Sequence, residues 1–479
     1  MAILEHLEPK SVFTHFEQLC AIPHGSRNTA AISDYLADFA RQRGLDHVQD
    51  AAGNVVIFGP ASPGYENAEP VILQGHMDMV CEKDPGCDLD MAAEGLRLRA
   101  EGDLVWAEGT TLGGDDGIAV AMMLALLDDK SLPHPPLECV FTVDEEIGML
   151  GAEALDCSVL RGRRMLNVDS EVEGILTVSC AGGRRVNAVL PVRRAPFSGA
   201  VLRLTVEGLT GGHSGAEIHK GRANADMLLG RLLCAVAGAT ETRVVSVSGG
   251  GKDNAIPAAA EAVVVVEDAG AAQYAVRVME AAFREEYPKS EPGLRLGCER
   301  GRADQAPLDA ESTKRLLTML ACLPNGVQAM SQDIEGLVLT SLNLGILETF
   351  PDHAAARFAV RSALESGKEM LTERIALLME ALGGSIDTEG DYPGWAYRRE
   401  SPLRELLIEV FTEQYGRAPV VDAIHAGLEC GLFSAKLPGL DCVSIGPDLE
   451  DIHTPRERMH VASVRRTWAL VCETLRRMK

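Results

Sequence analysis

No apolar run in this chain reaches the roughly 18 residues that a membrane-spanning helix requires, so no bilayer span is expected. Residues 1–10 lack the basic start, apolar stretch and small-residue cleavage site of a secretory leader, and the expected location is the cytoplasm. Positive charge is also scarce. With 45 Lys+Arg against 70 Asp+Glu the net charge is -25, and such a surface repels nucleic acid and anionic lipid, so neither is expected as a partner. There is no C-x-x-C pair: the 12 cysteines are scattered from Cys20 to Cys472, which disfavours a closed, Cys-rich zinc site. A chain of 479 residues needs no disulfide staples, and these thiols read as small, reduced core residues. Internal repeats and low-complexity tracts are missing as well.

What is present is the composition of a folded globular protein, 46% hydrophobic and 24% charged, at a length that implies two or three domains. Ile32, Tyr35, Leu36 and Phe39 recur at helical spacing between Ala30 and Arg43, and Asn54 to Ile57 reads as a short strand. Val71-Ile72-Leu73 then runs into Gly75-His76, Gly117 to Leu127 forms a helix, and Leu137 to Val143 and Met165 to Val168 supply two more strands. Apolar strands alternating with helices predict an α/β domain with a mostly parallel central sheet covered on both faces.

The pattern changes after Ala181-Gly182-Gly183. Val201 to Val206, Val244, Val263 to Val266 and Val338 to Ile346 read as strands and Ala223 to Val236 as a helix, which predicts an α+β unit with an antiparallel sheet. Beyond Tyr392-Pro393-Gly394 a helix (Leu403 to Tyr415) and a strand (Cys442 to Ile445) resume the first style. The simplest parse is one domain built from residues 1–183 and 395–479, interrupted by an inserted domain over 184–394.

Ligands of such sheets gather beyond the carboxyl ends of the strands, so polar residues just after each apolar run are the candidates. His76-Met77-Asp78 follows the first, with His76 and Asp78 on one side of an extended chain; an exposed strand end has the same look. Gly113-Gly114-Asp115-Asp116-Gly117 sets two acids among three glycines at a helix head, where either Asp could equally be an ordinary N-cap. Asp144-Glu145-Glu146 crowds three carboxylates, which repel one another unless protons or cations intervene; a solvated acidic turn is the plain alternative. Asp169 ends another strand, and His453 comes late, in Asp451-Ile452-His453-Thr454-Pro455. Together these strand ends offer a His, an Asp, a Glu, a second Asp and a second His. With one carboxylate bridging, that set suffices for two zinc ions with open positions for water and substrate.

At this point the motifs resemble the M20 clan of metallopeptidases, and within it the dipeptidase branch that includes aminoacyl-histidine dipeptidases. The likeness extends from Ile22-Pro23-His24-Gly25-Ser26 to the region of His453. It is most specific in Gly75 to Val80, Thr142 to Gly148, Gly211-Gly212-His213-Ser214-Gly215, Asn254-Ala255-Ile256-Pro257 and His425 to Phe433. The resemblance implies two divalent metal ions, zinc in the first place with manganese or cobalt as substitutes, bridged by Asp115. One ion would take His76 and Asp169, the other Glu146 and His453. Asp78 would orient His76, and Glu145 would be the general base for a metal-bridging water. Asp116 stands where several relatives have Asn and is not expected to bind metal.

In the inserted domain the resemblance makes His213 the stabiliser of the tetrahedral oxyanion, often acting on the partner subunit. Asn254 and Arg361 become substrate clamps, and His425 and Gly427 the lining of the pocket. The substrates implied are unblocked dipeptides, including Xaa-His and β-alanyl-histidine types, and the inserted domain would serve as a lid and as the contact of a homodimer. An aminoacylase or tripeptidase of the same clan, or a binding protein that kept the fold without the chemistry, are the alternatives.

Overall fold

The computed structural model describes residues 3–479. They form two compact units. The first runs to Ser179 and resumes at Tyr397–Ala423 and Leu428–Lys479; the second comprises Cys180–Ala396 and Ile424–Gly427. The four residues Ile424–Gly427, which the sequence parse leaves with the first domain, thus fall in the second unit. The backbone ties them there: the N–H of Ala181 donates to the carbonyls of Ile424 and Ala426, at 3.2 and 3.0 Å.

In the first unit the strands lie in the order Asp46–Gln49, Val55–Gly59, Leu137–Thr142, Val71–His76, Arg164–Asn167, Asp441–Ser444, Ile175–Cys180, Val420–Ile424. The four central strands, Leu137–Thr142 through Asp441–Ser444, are parallel; Asp46–Gln49, Val55–Gly59 and Ile175–Cys180 pair antiparallel. The parallel character expected of the sheet therefore belongs to its centre. Both Val71–His76 and Leu137–Thr142 are buried at every residue, as strands covered on two faces must be. The helix Gly114–Asp128 is apolar all round and buried from Asp116 through Leu126, so it packs as an interior helix rather than as an amphipathic surface one.

In the second unit Arg295–Arg300, Ala200–Glu207, Ala260–Val266, Thr242–Gly250, Val338–Thr349, His353–Ser362, Gly182–Pro191 and Ser385–Tyr392 form one sheet in that order, with Gly326–Met330 added beside Val338–Thr349. Every pairing described in it is antiparallel. Alternation along Ala200–Glu207 sends Leu202, Leu204 and Val206 into a core shared with Leu228, Leu232, Phe283, Leu316, Phe358 and Ile375. Burying each such side chain contributes about 1.5–3 kcal/mol. Three helices of this unit start on side-chain caps: Asn224 accepts the N–H groups of Asp226 and Met227, Asp268 those of Gly270 and Ala271, and Asp309 that of Ser312. Among the described residues no helix is long and apolar enough to cross a membrane.

Candidate metal centre

The strand Val71–His76 ends in His76, the parallel strand Leu137–Thr142 leads into Asp144-Glu145-Glu146, and Arg164–Asn167 leads to Asp169. All three chains emerge at the same sheet edge because they are parallel neighbours in register, His76 opposite Thr142 and Gln74 opposite Asn167. Asp115 comes from the head of the buried helix, where it and Asp116 depart from helical dihedrals. His453 arrives from the far end of the chain, with a positive φ of 60°, and Asp144, just before Glu145, has a φ of 54°. Non-glycine residues held in this left-handed region are uncommon and cluster at functional sites.

Asp115 sits between the two imidazoles. Its Oδ1 lies 3.0 Å from His76 Nε2 and its Oδ2 3.1 Å from His453 Nε2. Asp169 Oδ1 completes one side at 3.6 Å from His76 Nε2, and Glu146 Oε1 the other at 3.0 Å from His453 Nε2. Donor atoms around one tetrahedral zinc ion with bonds near 2.0–2.1 Å are about 3.3 Å apart, so these separations fit ligands of two ions that share Asp115. His, Asp and Glu without cysteine is a donor set for catalytic rather than structural zinc. His76, Asp116 and Asp169, then His76, Glu145 and Glu146, then Asp115, Glu146 and His453 each bring donor atoms close enough to surround one ion.

The electrostatics agree. Burial alone would lower His76, yet hydrogen bonds to Asp115, Asp169 and Asp78 hold it well above its ordinary value. Hydrogen bonds to Asp115 and Glu146 push His453 up to about 10. Burial, then the negative charges of Asp169, Glu429 and Glu146, raise Glu145 against the opposing pull of His76. Carboxylates this crowded draw protons onto the imidazoles, and divalent cations would take the place of those protons.

Asp78 plays two parts. Its backbone carbonyl is 3.0 Å from His76 Nδ1, whereas its carboxylate is 3.5 Å away, so the carbonyl is the nearer group orienting that ring. The carboxylate accepts the Glu145 N–H at 3.0 Å and the Ser26 hydroxyl at 2.8 Å, which pins the acidic loop to the strand bearing His76. Asp116 belongs to one of the three donor groups, but its Oδ2 accepts the His76 N–H at 3.2 Å, and burial together with Asp169 holds its carboxyl well above the ordinary range.

Two acids carry structure that sequence reasoning did not assign. Glu457 is buried, and its carboxylate accepts the N–H groups of Leu112, Gly113 and Gly114 at 2.7, 3.1 and 2.8 Å, holding the loop that delivers Asp115. Nothing in Arg456-Glu457-Arg458 distinguishes it from a surface charge. Glu429 is fully buried and accepts Gln74 Nε2 at 2.5 Å and Thr142 Oγ1 at 2.7 Å, while Asn167 donates to Gln74 at 2.7 Å. The signal for this network was legible: Gln74, Thr142 and Asn167 are polar residues inside otherwise apolar strands.

His213, Asn254, Arg361, His425 and Gly427 all belong to the second unit. Gly212–His213 pairs antiparallel with Ala255–Ile256, and the Ser214 N–H donates to the Asn254 carbonyl at 2.9 Å, so the Gly-Gly-His-Ser-Gly and Asn-Ala-Ile-Pro motifs form one structure. The N–H groups of Gly215 and Ala216 both donate to His213 Nδ1, at 3.2 and 3.0 Å. That places the proton of the neutral ring on Nε2, where it is available to donate. Burial and the Arg361 charge lower His213 further toward this neutral form. His425 is buried, its Nε2 lies 2.7 Å from Ser341 Oγ, and burial together with Arg361 pushes it down to about 4. A side-chain carbon built at Gly215 would lie 3.0 Å from His213 Cε1, 3.1 Å from Arg361 Nε and 2.6 Å from the His425 carbonyl, so only a glycine leaves these groups room to converge. Asn254 is exposed and lines a cavity of about 330 Å³ with Arg185 and Arg357. Gly427 is half-buried at the end of the Ile424–Gly427 segment.

Residues 72–477 match the model of peptidase family M20/M25/M40. The chain is 36% identical over 480 residues to cytosol non-specific dipeptidase of Escherichia coli strain K12, covering 99% of each chain. Its structure superposes on the crystal structure of aminoacylhistidine dipeptidase from Vibrio alginolyticus with a TM-score of 0.95 and 35% identity, over 98% of this chain and 97% of that one. The fold is shared more distantly with aminopeptidase PepT of Bacillus cereus, at a TM-score of 0.58 and 17% identity over 98% and 99% of the two chains. A sheet edge gathering two histidines on one shared aspartate, and this agreement along nearly the whole chain, lead to one conclusion: the protein belongs to the M20 peptidase family.

Proposed function

We propose that this chain is a dipeptidase that hydrolyses unblocked dipeptides, including Xaa-His and β-alanyl-histidine types, with two divalent ions held by His76, Asp115, Glu146, Asp169 and His453. The observation that carries the reading is the placement of Asp115, with one carboxylate oxygen on each of two histidines. The 36% identity to the Escherichia coli dipeptidase, over 99% of each chain, supports the choice of substrate class. Mixed nitrogen and oxygen donors suit zinc, with manganese or cobalt as substitutes. When bound, the ions would polarise the scissile carbonyl and acidify the attacking water.

The remaining roles fall to the chain itself. Glu145 takes the proton of the attacking water and passes it to the leaving amine; burial, then the neighbouring carboxylates, raises its affinity for a proton and suits it to both halves of that transfer. His213 donates from Nε2 to the oxyanion as charge builds there. Arg361 receives the free carboxylate of the peptide, whose planar geometry a guanidinium matches, with Asn254, His425 and Gly427 completing the substrate site. The second unit supplies these binding groups and the contact of a homodimer, and the enzyme works in the cytoplasm.

The test is turnover of β-alanyl-histidine, several unblocked dipeptides, a tripeptide and an N-acetyl amino acid by purified protein, with metal content measured before and after chelation. The expected result is cleavage of the dipeptides, lost with the metal and restored by zinc. Cleavage of the acetylated compound alone would reassign the chain to an acylase activity. Absence of turnover with zinc, manganese and cobalt alike would leave a binding protein.

A further inference from the structure

In the second unit Gly183 lies between two large polar side chains. It is paired with Arg361 on the strand His353–Ser362 and with Tyr392 on the strand Ser385–Tyr392, where the register shifts after Glu389. Residues so paired project on one face, and strands two apart are about 9.6 Å from each other. A side chain at position 183 would fill the space between them. A carbon built there would lie 2.5 Å from both Cζ and Oη of Tyr392, so the phenol ring lies directly over the glycine. Across that gap Arg361 Nη1 donates to the Tyr392 hydroxyl at 3.2 Å, while Arg361 Nε is buried without a hydrogen-bond partner.

The strand end that carries Tyr392 is itself held. Lys368 is fully buried, and its ammonium donates to the Tyr392 carbonyl at 2.9 Å and lies 2.6 Å from Asp391 Oδ1 and 3.0 Å from Glu365 Oε2. Arg184, next to the glycine, reaches Asp391 and Glu369 at 2.9 and 2.8 Å. Two cations thus clamp Asp391 and with it the backbone of its neighbour. A buried ammonium is retained only where such partners compensate its desolvation.

We infer that Tyr392, laid over Gly183 and anchored through Lys368 and Asp391, is a positioning residue that aims the Arg361 guanidinium at the substrate carboxylate, and so sets the preference for a free peptide C-terminus. This rests on the reading of Arg361 as the carboxylate clamp. A guanidinium is a planar fork on a flexible stem, and its selectivity for a carboxylate depends on holding one orientation. The phenol hydroxyl accepts one N–H of Nη1 from a side and leaves the remaining Nη N–H groups to the ligand.

The experiment compares kcat and KM for a dipeptide and for its C-terminal amide in the wild type, Tyr392→Phe, Gly183→Ala, Arg361→Ala and the Tyr392→Phe/Arg361→Ala double variant. Tyr392→Phe keeps the ring and removes only the acceptor; KM for the free dipeptide should rise about tenfold, the scale of a hydrogen bond to a charged group, with kcat within about twofold and the amide unaffected. Gly183→Ala, which displaces the ring while retaining its hydroxyl, should shift KM in the same direction. In the Arg361→Ala background the Tyr392 change should add nothing, because its effect passes through the arginine. Loss of the acid-over-amide preference in Arg361→Ala with a wild-type KM in Tyr392→Phe would overturn the inference, as would an undiminished Tyr392 effect in the double variant. A preference that survives Arg361→Ala would instead remove the carboxylate-clamp reading on which it rests.

Discussion

The candidate metal centre of the first unit and the arginine–histidine cluster of the second are built from opposite imbalances. At the sheet edge, Asp115, Asp116, Glu145, Glu146 and Asp169 converge with His76 and His453; burial and then the neighbouring charges raise the proton affinity of Glu145, and hydrogen bonds to the carboxylates raise that of both histidines. Around Gly215 the charge is positive: burial, and after it the Arg361 charge, drives both His213 and His425 toward their neutral forms. One cluster is suited to cations and the other to an anion. Folding leaves each imbalance in place because the surrounding scaffold is stable enough to hold it, which is how pre-organised sites are made.

The sharpest way to break this contrast is to remove a proton carrier from the acidic side alone. Glu145→Gln should lower kcat by about 10²- to 10⁴-fold while the protein still binds metal, since the amide keeps the shape and loses only the proton transfer. Metal content measured beside turnover checks it, and a variant retaining a tenth of wild-type activity would remove Glu145 from the general-base role.

On the cationic side the expected signature is in stability. His425 is pushed down to about 4 in the folded protein against an ordinary value of 6.5. The unfolded chain therefore takes up the proton first as pH falls. The contribution is fully present above pH 6.5 and is lost progressively between pH 6.5 and pH 4, on the order of 3 kcal/mol in all. Denaturant titrations across that range should give a steeper acid-side loss for the wild type than for His425→Gln; parallel curves would contradict the assignment. The groups around His425 that take part are Arg361, His219, Ser341 and the Val338 backbone.

The smallest effect sharpens the comparison by loosening the acidic site without touching a donor atom. Glu457→Gln leaves one oxygen for the three N–H groups of Leu112, Gly113 and Gly114, and should weaken metal affinity about tenfold, as loss of a supporting contact does. Competition with a chelator of known affinity measures it. An unchanged affinity would mean that the loop bearing Asp115 holds its shape unaided.

The two sites were not equally legible. His76, Asp115, Glu145, Glu146 and Asp169 stand at strand ends and a helix head, positions that apolar periodicity locates directly, and crowding of acids in Asp144-Glu145-Glu146 is a chemical signal in itself. The helices and strands read from periodicity are also the elements observed, from Ala30–Arg43 to Pro402–Tyr415. Arg361, by contrast, is an arginine on a strand, and only its resemblance to a family singled it out; Tyr392 was marked only as part of a domain boundary, and Lys368 had no signal at all. Lys368 meets Glu365 on its own helix, but Asp391 and the Tyr392 carbonyl come from a separate strand, and that pairing is invisible until the sheet register is known.

By itself the sequence determined the local elements, the apolar strands of the first unit's sheet and the residues able to bind metal, because those depend on hydrophobic period and side-chain chemistry within short stretches. Only the tertiary structure decided that the parallel strands occupy the centre of that sheet, that Ile424–Gly427 joins the second unit, that Asp115 faces two histidines at once, and that a glycine lets Tyr392 meet Arg361. Those outcomes depend on strand register and on close approach between segments from some thirty to more than three hundred residues apart, and a linear pattern carries no record of such approaches.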